Sequence, residues 1–573
     1  MNRFSASADW GGFSEPARPG RKVLLVALLV GLAVSWPLLY AALAHGPDIV
    51  IRTLTGDSYH YLAIARNAVT SHMYTYDGVH VTNGFHPLWQ YFIRGMFVAL
   101  DIRSHEGQAI AVVFASLTAT TAGTMLASAA IIRMTNRYFL GLLVVPGLFY
   151  LIVGVHVRVL PIWSALDGME SGFSILFGGT VFFVMSRHFR IANRGTTAGP
   201  IELCRALGLI LPFLILSRLD DVFILPAFLI AIALIDCPVR TRIRAGLWLA
   251  GPSSIAILAY LVYNKATVGA AMPLSGGTKA GFVGFVSTYL TAAVHMPAIL
   301  DLKALVTKTA SDGGAIFSAS LRFIEMIYPL LASVFGALAI LKYKNGSPYA
   351  YAFFAICLYI LIKEAYNFLY VHPWHQSAWY YAFIALSLSV LGAVALRDPW
   401  SRLKSMPIVR TGVIVIYLGI TLLAASQYYA LIVYQNSDTS KHQFWNRKNE
   451  IRSELVAHGV HGIINVDDGI SVFLLDMPAM HGFAFAPDVE AQKAHKSGRM
   501  LSLAYSRHID AIVGFGYMTM DLPPQTDAQI REYLSHSLAR EMMYAEMDKF
   551  EFSLAYFDPV LKLPFFSFRP KTS

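Results

Sequence analysis

The chain has 573 residues, 56% of them apolar and 14% charged, with 45 basic against 35 acidic side chains and a net charge of +10. Ordinary globular chains run nearer about 45–50% apolar and about 25% charged, so this balance excludes a soluble enzyme, a disordered chain and a disulfide scaffold. The apolar residues fall in runs of roughly 20, enough to cross about 30 Å of hydrocarbon at ~1.5 Å per residue. The composition predicts an all-α polytopic membrane bundle. Most of the basic surplus sits in short connectors and no base-reading motif is present, so nucleic acid is not expected as a partner.

In chain order, a basic stretch with Arg18, Arg21 and Lys22 precedes the first run, 22–44. That run is too long for a signal-peptide core and lacks a small-x-small cleavage site before His45, so it is expected to be a retained span behind a cytoplasmic tail, 1–21. Further spans are expected at 107–132, 138–156, 163–186, 203–217, 221–236, 243–263, 321–342, 349–371, 378–396 and 408–434, eleven in all. Segment 87–100 is apolar but short and holds Arg94; it reads as a partial insertion or as a twelfth span. The connectors rich in arginine and lysine (187–205, 237–244, 342–344, 397–404) share one side if 87–100 does not cross, which places them in the cytoplasm. Cys204, Cys237 and Cys357 lie in or beside apolar runs with no C-x-x-C pair, so neither a disulfide framework nor a zinc site is expected.

The same parity puts 45–106, 157–168, 217–221, 264–320, 372–378 and the tail on the outer side. These segments hold or flank the unusual polar residues: Asp57, Asp167, Glu170, Arg218, Asp220, Asp221, Lys279, His372 and His375. From about 435 the runs shorten to strand length, at Ile463-Ile464-Asn465-Val466 and Ala511-Ile512-Val513, between charged helix-like stretches at 488–506 and 526–547. Residues 435–573 therefore read as a small extracytoplasmic α/β domain following the membrane module, 22–434.

The first external loop carries the densest chemistry. Asp57 is followed by Tyr59, His60 and Tyr61, rings able to stack on a sugar, and by Ala65-Arg66-Asn67. Thr82-Asn83-Gly84-Phe85-His86-Pro87-Leu88-Trp89 comes later. By residue type alone, Asp57 reads first as a helix-capping acid among interfacial aromatics. This loop resembles the first loop of the GT-C superfamily of membrane glycosyltransferases, and within it a bacterial subgroup related to the mycobacterial terminal arabinofuranosyltransferases. Asp167-Gly168-Met169-Glu170, Ser217-Arg218-Leu219-Asp220-Asp221, Met272-Pro273-Leu274-Ser275-Gly276-Gly277-Thr278-Lys279 and Trp379-Tyr380-Tyr381 resemble further elements of that family. Together they cover most of residues 20–400. Many relatives carry an acidic pair in the first loop, whereas here Gly56 stands at the first position.

The resemblance implies a GT-C-like bundle of about 11–12 transmembrane helices in a bacterial inner membrane. It implies an inverting enzyme that moves a monosaccharide from a polyprenyl-phosphate donor to a cell-envelope glycan, lipid or protein. Asp57 is then expected as general base, with Glu170 and Asp221 as secondary catalytic candidates. Tyr59, His60, Tyr61, Asn83, His86, Trp89, Arg218, Asp220, Lys279, His372, His375, Trp379 and Tyr380 are expected as substrate contacts, the cationic ones serving the leaving lipid phosphate. No metal ligand set is assigned; a divalent cation, magnesium or manganese, is the one cofactor left open. Each of these assignments has a plainer alternative. Arg218 with Asp220 or Asp221 is also a local ion pair, Asp167 a cap, Lys363-Glu364 an intramembrane pair pointing two ways, and Asp467-Asp468-Gly469 a turn. A transporter or flippase would favour an internal repeat with polar groups at mid-membrane, and no repeat is found. A phosphoethanolamine-type transferase would need a nucleophilic Ser or Thr among metal ligands in the tail, and none is convincing.

Overall fold

A computed structural model describes residues 20–145, 166–192, 198–235, 237–276, 329–338, 348–370, 378–430, 432–433, 440–465, 469–482, 487–513, 522–536 and 546–571. The bundle opens with α1 (Arg21–His45), α2 (Gly56–Thr70), α3 (Pro87–Ala99), α4 (His105–Thr135) and α5 (Tyr138–Leu142). It continues through α6 (Ser171–Ala192), α7 (Ala198–Ser217), a 3₁₀ turn at Leu219–Phe223, α8 (Ile224–Leu234) and α9 (Val239–Val268). After a short apolar helix, Pro329–Leu338, come α10 (Pro348–Tyr370), a 3₁₀ turn at Ala378–Tyr381, α11 (Ala382–Ala395), α12 (Arg397–Arg402) and α13 (Pro407–Ala430).

Four described helices, α1, α4, α9 and α13, are long and apolar enough to cross a membrane; α11 with the bent Arg397–Ser405 segment, turned by 42°, makes a fifth if the two are one span. Helices α6, α7 and α10 cover three more of the expected segments, with 22, 20 and 23 residues. The expected span 221–236 is shorter than read: α8 has 11 residues and is entered through the 3₁₀ turn. Segment 87–100 forms α3, whose 13 residues reach about 20 Å, short of the hydrocarbon thickness. Parts of 138–156 and 321–342 lie outside the described residues. In α1, Leu24, Leu25, Leu28, Leu29, Leu32 and Trp36 form an exposed stripe, while Val30, Val34, Leu38 and Ala41 are fully buried. That split is the helical period of a face turned to lipid and a face turned to protein.

Helix α4 crosses α6 at backbone contact. A Cβ built at Gly179 would lie 2.1 Å from the Gly123 carbonyl oxygen, and one at Gly123 would lie 2.3 Å from that of Ile175. Helices pack in lipid without much hydrophobic drive, so small residues that let backbones approach supply the dispersion contacts. This crossing seats the N-terminus of α6 beside α2. Gly179→Ala is expected to destabilise the protein by about 1–3 kcal/mol through overpacking, read as a lower thermal midpoint in detergent. Gly412→Ala, which meets open space, is expected to leave the midpoint unchanged.

The tail holds α14 (Ser440–Ala457), β1 (Ile463–Asn465), α15 (Ile470–Leu475), β2 (Ala479–His481), α16 (Val489–Lys496), α17 (Met500–Ser506), β3 (Ala511–Val513), α18 (Asp527–His536), β4 (Phe550–Asp558) and β5 (Leu563–Pro570). Strand order is β2-β1-β3-β5-β4. Both strands read from the sequence are present as parallel neighbours, while the antiparallel β4–β5 hairpin was not anticipated. The stretch 488–506 is two helices, broken where Gly498 takes φ 65°. Alternation along the strands divides the sheet. Ile463, Ala511, Val513 and Phe565 join the core shared with the membrane module. Ile464, Ile512 and Phe566 join a separate core under α16, α17 and α18. One face of the sheet is thus built against the bundle.

Candidate functional site

Asp57 lies in the first turn of α2 and is half-buried. It makes no hydrogen bond or ion pair among the described residues. Tyr61, four residues on, shares its helix face and donates its hydroxyl to Glu170 Oε2 at 3.0 Å. The Asp167–Glu170 turn is bound to the segment before α2. The Thr55 N–H donates to the Asp167 carbonyl at 3.3 Å, and the Trp89 indole donates to the Gly168 carbonyl at 2.9 Å. Gly168 takes φ 86°, and a Cβ there would lie 2.6 Å from Leu54; this turn needs glycine both for its left-handed backbone and for its close approach. Asp167 Oδ1 caps the turn by accepting from the Met169 N–H at 3.0 Å.

Below Tyr61 runs a buried chain of charges. Arg218 Nη1 stands 2.6 Å from Glu170 Oε1, and its Nε stands 2.9 Å from Asp220 Oδ1; the guanidinium is 2% exposed and stacks 4.2 Å above the Tyr380 ring. Lys363, fully buried on α10, pairs with Asp221 and reaches Asp220 Oδ2 at 3.3 Å. The Tyr359 hydroxyl donates to Asp221 at 2.5 Å. Burial would raise the Asp220 carboxyl, but Arg218, followed by Lys363 and His86, outweighs it and holds this acid below the usual carboxylate range. His86 closes the chain. The Leu219 N–H donates to His86 Nδ1 at 3.2 Å, and His86 Nε2 faces Glu170 Oε1 at 3.5 Å.

The structure thus brings Tyr61, His86, Glu170, Arg218, Asp220, Asp221 and Tyr380 into one network beside Asp57. Lys363, read from the sequence only as an intramembrane charge, and Tyr359, not singled out there, belong to it. Their signal was present in the sequence: Tyr359, Lys363, Tyr366 and Asn367 recur at i, i+4, i+7 and i+8, a polar stripe in an apolar helix. Arg218 is paired to both Glu170 and Asp220, so the plain ion-pair reading applies, extended to a partner 48 residues away.

Four expected substrate contacts are occupied otherwise. Tyr59, 1% exposed, accepts from the Trp445 indole at 2.9 Å and packs on Phe473. His60 is bonded to the Tyr76 hydroxyl at 2.9 Å and meets the His481 ring at 4.6 Å. Stacking of Tyr59 and His60 on a sugar is therefore not met by this arrangement, because the tail domain covers both rings. Asn83, 1% exposed, spends its amide on the Ala270 and Met272 carbonyls and on the Leu274 N–H, bracing the Met272–Ser275 loop. Trp89, fully buried, supports Gly168. Lys279, His372, His375, Asp467 and Asp468 lie outside the described residues, and of Trp379 only the backbone, within the Ala378–Tyr381 turn, is described.

The tail domain is clamped over α2. Arg66 on α2 and His105 on α4 both meet Asp476, at 3.1 and 3.3 Å. Burial alone would raise the Asp476 carboxyl; the hydrogen bond and charge of His105, then Arg66, outweigh it and hold it at about 2. A lowered carboxylate pKa contributes stability that is complete above the unfolded value of ~3.9 and is lost as pH falls toward the folded one. Tail docking is expected to loosen between about pH 4 and pH 2, read by limited proteolysis of the tail, with Asp476→Asn already loose at neutral pH.

Among the described residues, only Asp77, His80 and Asp488 bring three ligand atoms within 4.8 Å of one another. Arg507 Nη1 stands 2.6 Å from Asp488 and 3.6 Å from Asp77, so a guanidinium already lies against both acids.

No family model and no curated protein matches this chain. Several solved structures resemble it in shape. The oligosaccharyltransferase of Archaeoglobus fulgidus in the apo form is 14% identical with a TM-score of 0.48, covering 87% of this chain and 70% of that one. ArnT from Cupriavidus metallidurans bound to undecaprenyl phosphate is 12% identical with a TM-score of 0.48, covering 95% and 97%. The archaeal oligosaccharyltransferase AglB with an inhibitory peptide and a dolichol-phosphate is 12% identical with a TM-score of 0.45, covering 96% and 74%. At these scores the likenesses carry no functional weight.

Proposed function

We propose that this chain is an integral membrane glycosyltransferase that moves a monosaccharide from a polyprenyl-phosphate donor to an envelope glycan, lipid or protein at the outer face of the membrane. The observation that carries the reading is the contrast between Asp57 and its surroundings. Glu170, Asp220 and Asp221 are tied to Arg218 and Lys363, whereas Asp57 on the adjoining helix face has no partner among the described residues. A half-buried carboxylate with no cation paired to it among the described residues is suited to take the proton of an acceptor hydroxyl as that oxygen attacks the anomeric carbon. One such displacement inverts the centre, and the lipid phosphate leaves with the donor's electron pair.

The neutralised acids hold the site in place. Glu170 fixes Tyr61 and, through it, the face of α2 that bears Asp57. The cations for the leaving phosphate are sought in Lys279, His372 and His375, since Arg218 and Lys363 are engaged with acids. The test is release of polyprenyl phosphate by the purified protein, with undecaprenyl phosphate carrying arabinofuranose, glucose or mannose and an envelope glycan extract as acceptor. Acceptor-dependent release from one donor supports the reading. Vectorial movement of intact donor across proteoliposomes without release favours a flippase and overturns it.

A further inference from the structure

The membrane module does not settle the first turn of α2 alone. The Gly469 N–H, at the start of α15 in the tail, donates to the carbonyl of Gly56 at 3.2 Å, one residue before Asp57. A Cβ at Gly469 would lie 2.6 Å from the His60 backbone nitrogen, 2.7 Å from its Nδ1 and 2.8 Å from the Tyr59 carbonyl carbon. Gly469 has φ −71° and ψ 1°, a backbone open to any residue. Glycine is therefore required there for space, not for conformation. Around it the Trp445 indole holds the Tyr59 hydroxyl at 2.9 Å, and the Phe473 ring packs 6.0 Å from that of Tyr59. Two more bonds reach the neighbouring loops, Thr82 Oγ1 to the Pro487 carbonyl at 2.6 Å and Gln492 Nε2 to the Leu274 carbonyl at 2.7 Å.

We propose that Gly469 is a positioning residue for transfer: its approach to Gly56 and His60 sets the first turn of α2, and with it the Asp57 carboxylate, which makes the tail domain part of the transfer site. The proposal rests on the glycosyltransferase reading. A base displaced by about 1 Å costs up to roughly 100-fold in rate while donor binding elsewhere is unaffected.

The experiment compares Gly469→Ala, Trp445→Phe and Asp488→Asn in the full-length protein, with undecaprenyl-phosphate-linked sugar as donor. Asp488 pairs with Arg507 and, among the described residues, bonds to neither α2 nor the charge network. Gly469→Ala is expected to lower kcat by about 10- to 100-fold at unchanged donor KM. Trp445→Phe, which keeps a ring and removes the N–H to Tyr59, is expected to lower kcat less and again to spare KM. Asp488→Asn is expected to keep kcat. If Gly469→Ala does not fold, Trp445→Phe decides. Wild-type kcat in both, or an equal loss in Asp488→Asn, overturns the proposal. If Asp57→Asn is inactive while Gly469→Ala is wild type, only the role of Gly469 falls; if Asp57→Asn keeps full activity, the reading beneath it falls.

Discussion

Asp57→Asn is expected to lower transfer from a polyprenyl-phosphate sugar by at least about 100-fold while leaving expression, thermal midpoint and donor KM unchanged. General base catalysis typically contributes roughly 10²–10⁴-fold, and the amide keeps the shape of the side chain while losing the ability to take a proton. No stability change is expected, because Asp57 has no hydrogen bond or ion pair among the described residues to lose. Its neighbours behave otherwise: Glu170→Gln would disturb Arg218, Tyr61 and His86 together. Rate loss without stability loss is thus the mark that separates Asp57 from the other acids of the site. Transfer by Asp57→Asn at wild-type rate would remove it as base.

Lys363→Met is expected to cost about 3–5 kcal/mol of stability, the usual consequence of leaving a buried carboxylate without its counter-ion. Lys363 and Asp221 are both fully buried, and Lys363 also meets Asp220. Removing Lys363 leaves Arg218 as the one arginine or lysine paired with any of Glu170, Asp220 and Asp221 among the described residues. The double variant Lys363→Met with Asp221→Leu removes both buried charges, and is expected to be less destabilised than Lys363→Met, because a well-packed apolar pair avoids the desolvation that an orphaned ion suffers. Thermal unfolding in detergent measures both. Equal midpoints for Lys363→Met and the wild type would show that Asp221 is not ionised opposite Lys363.

Much of this architecture was legible from the chain. Apolar runs announced the long helices, and strand-length apolar runs at Ile463 and Ala511 announced the tail sheet, because the length of an apolar run bounded by polar stretches reports a buried element. The grouping of Glu170, Arg218, Asp220 and Asp221 was also legible, since charged residues at the ends of apolar runs have few places to go but one another. Lys363 was visible as an intramembrane charge but not as their partner. Its connection depends on which way α10 turns its polar stripe, which no local pattern states.

Sequence by itself determined that the chain is a helical membrane bundle with a mixed α/β tail, and that one acid in the opening loop stands among polar residues. Those properties follow from composition and period, which act over one or two turns of helix. Only the tertiary structure decided which polar groups are spent. Tyr59 and His60 looked like sugar contacts until the tail domain closed over them, and Gly469 looked like part of a turn until it came within bonding distance of Gly56, 413 residues earlier. Burial and neutralisation are properties of the assembled neighbourhood: an aspartate is paired with a buried lysine at position 221 and has no ion pair among the described residues at position 57, and the difference comes from what packs against it.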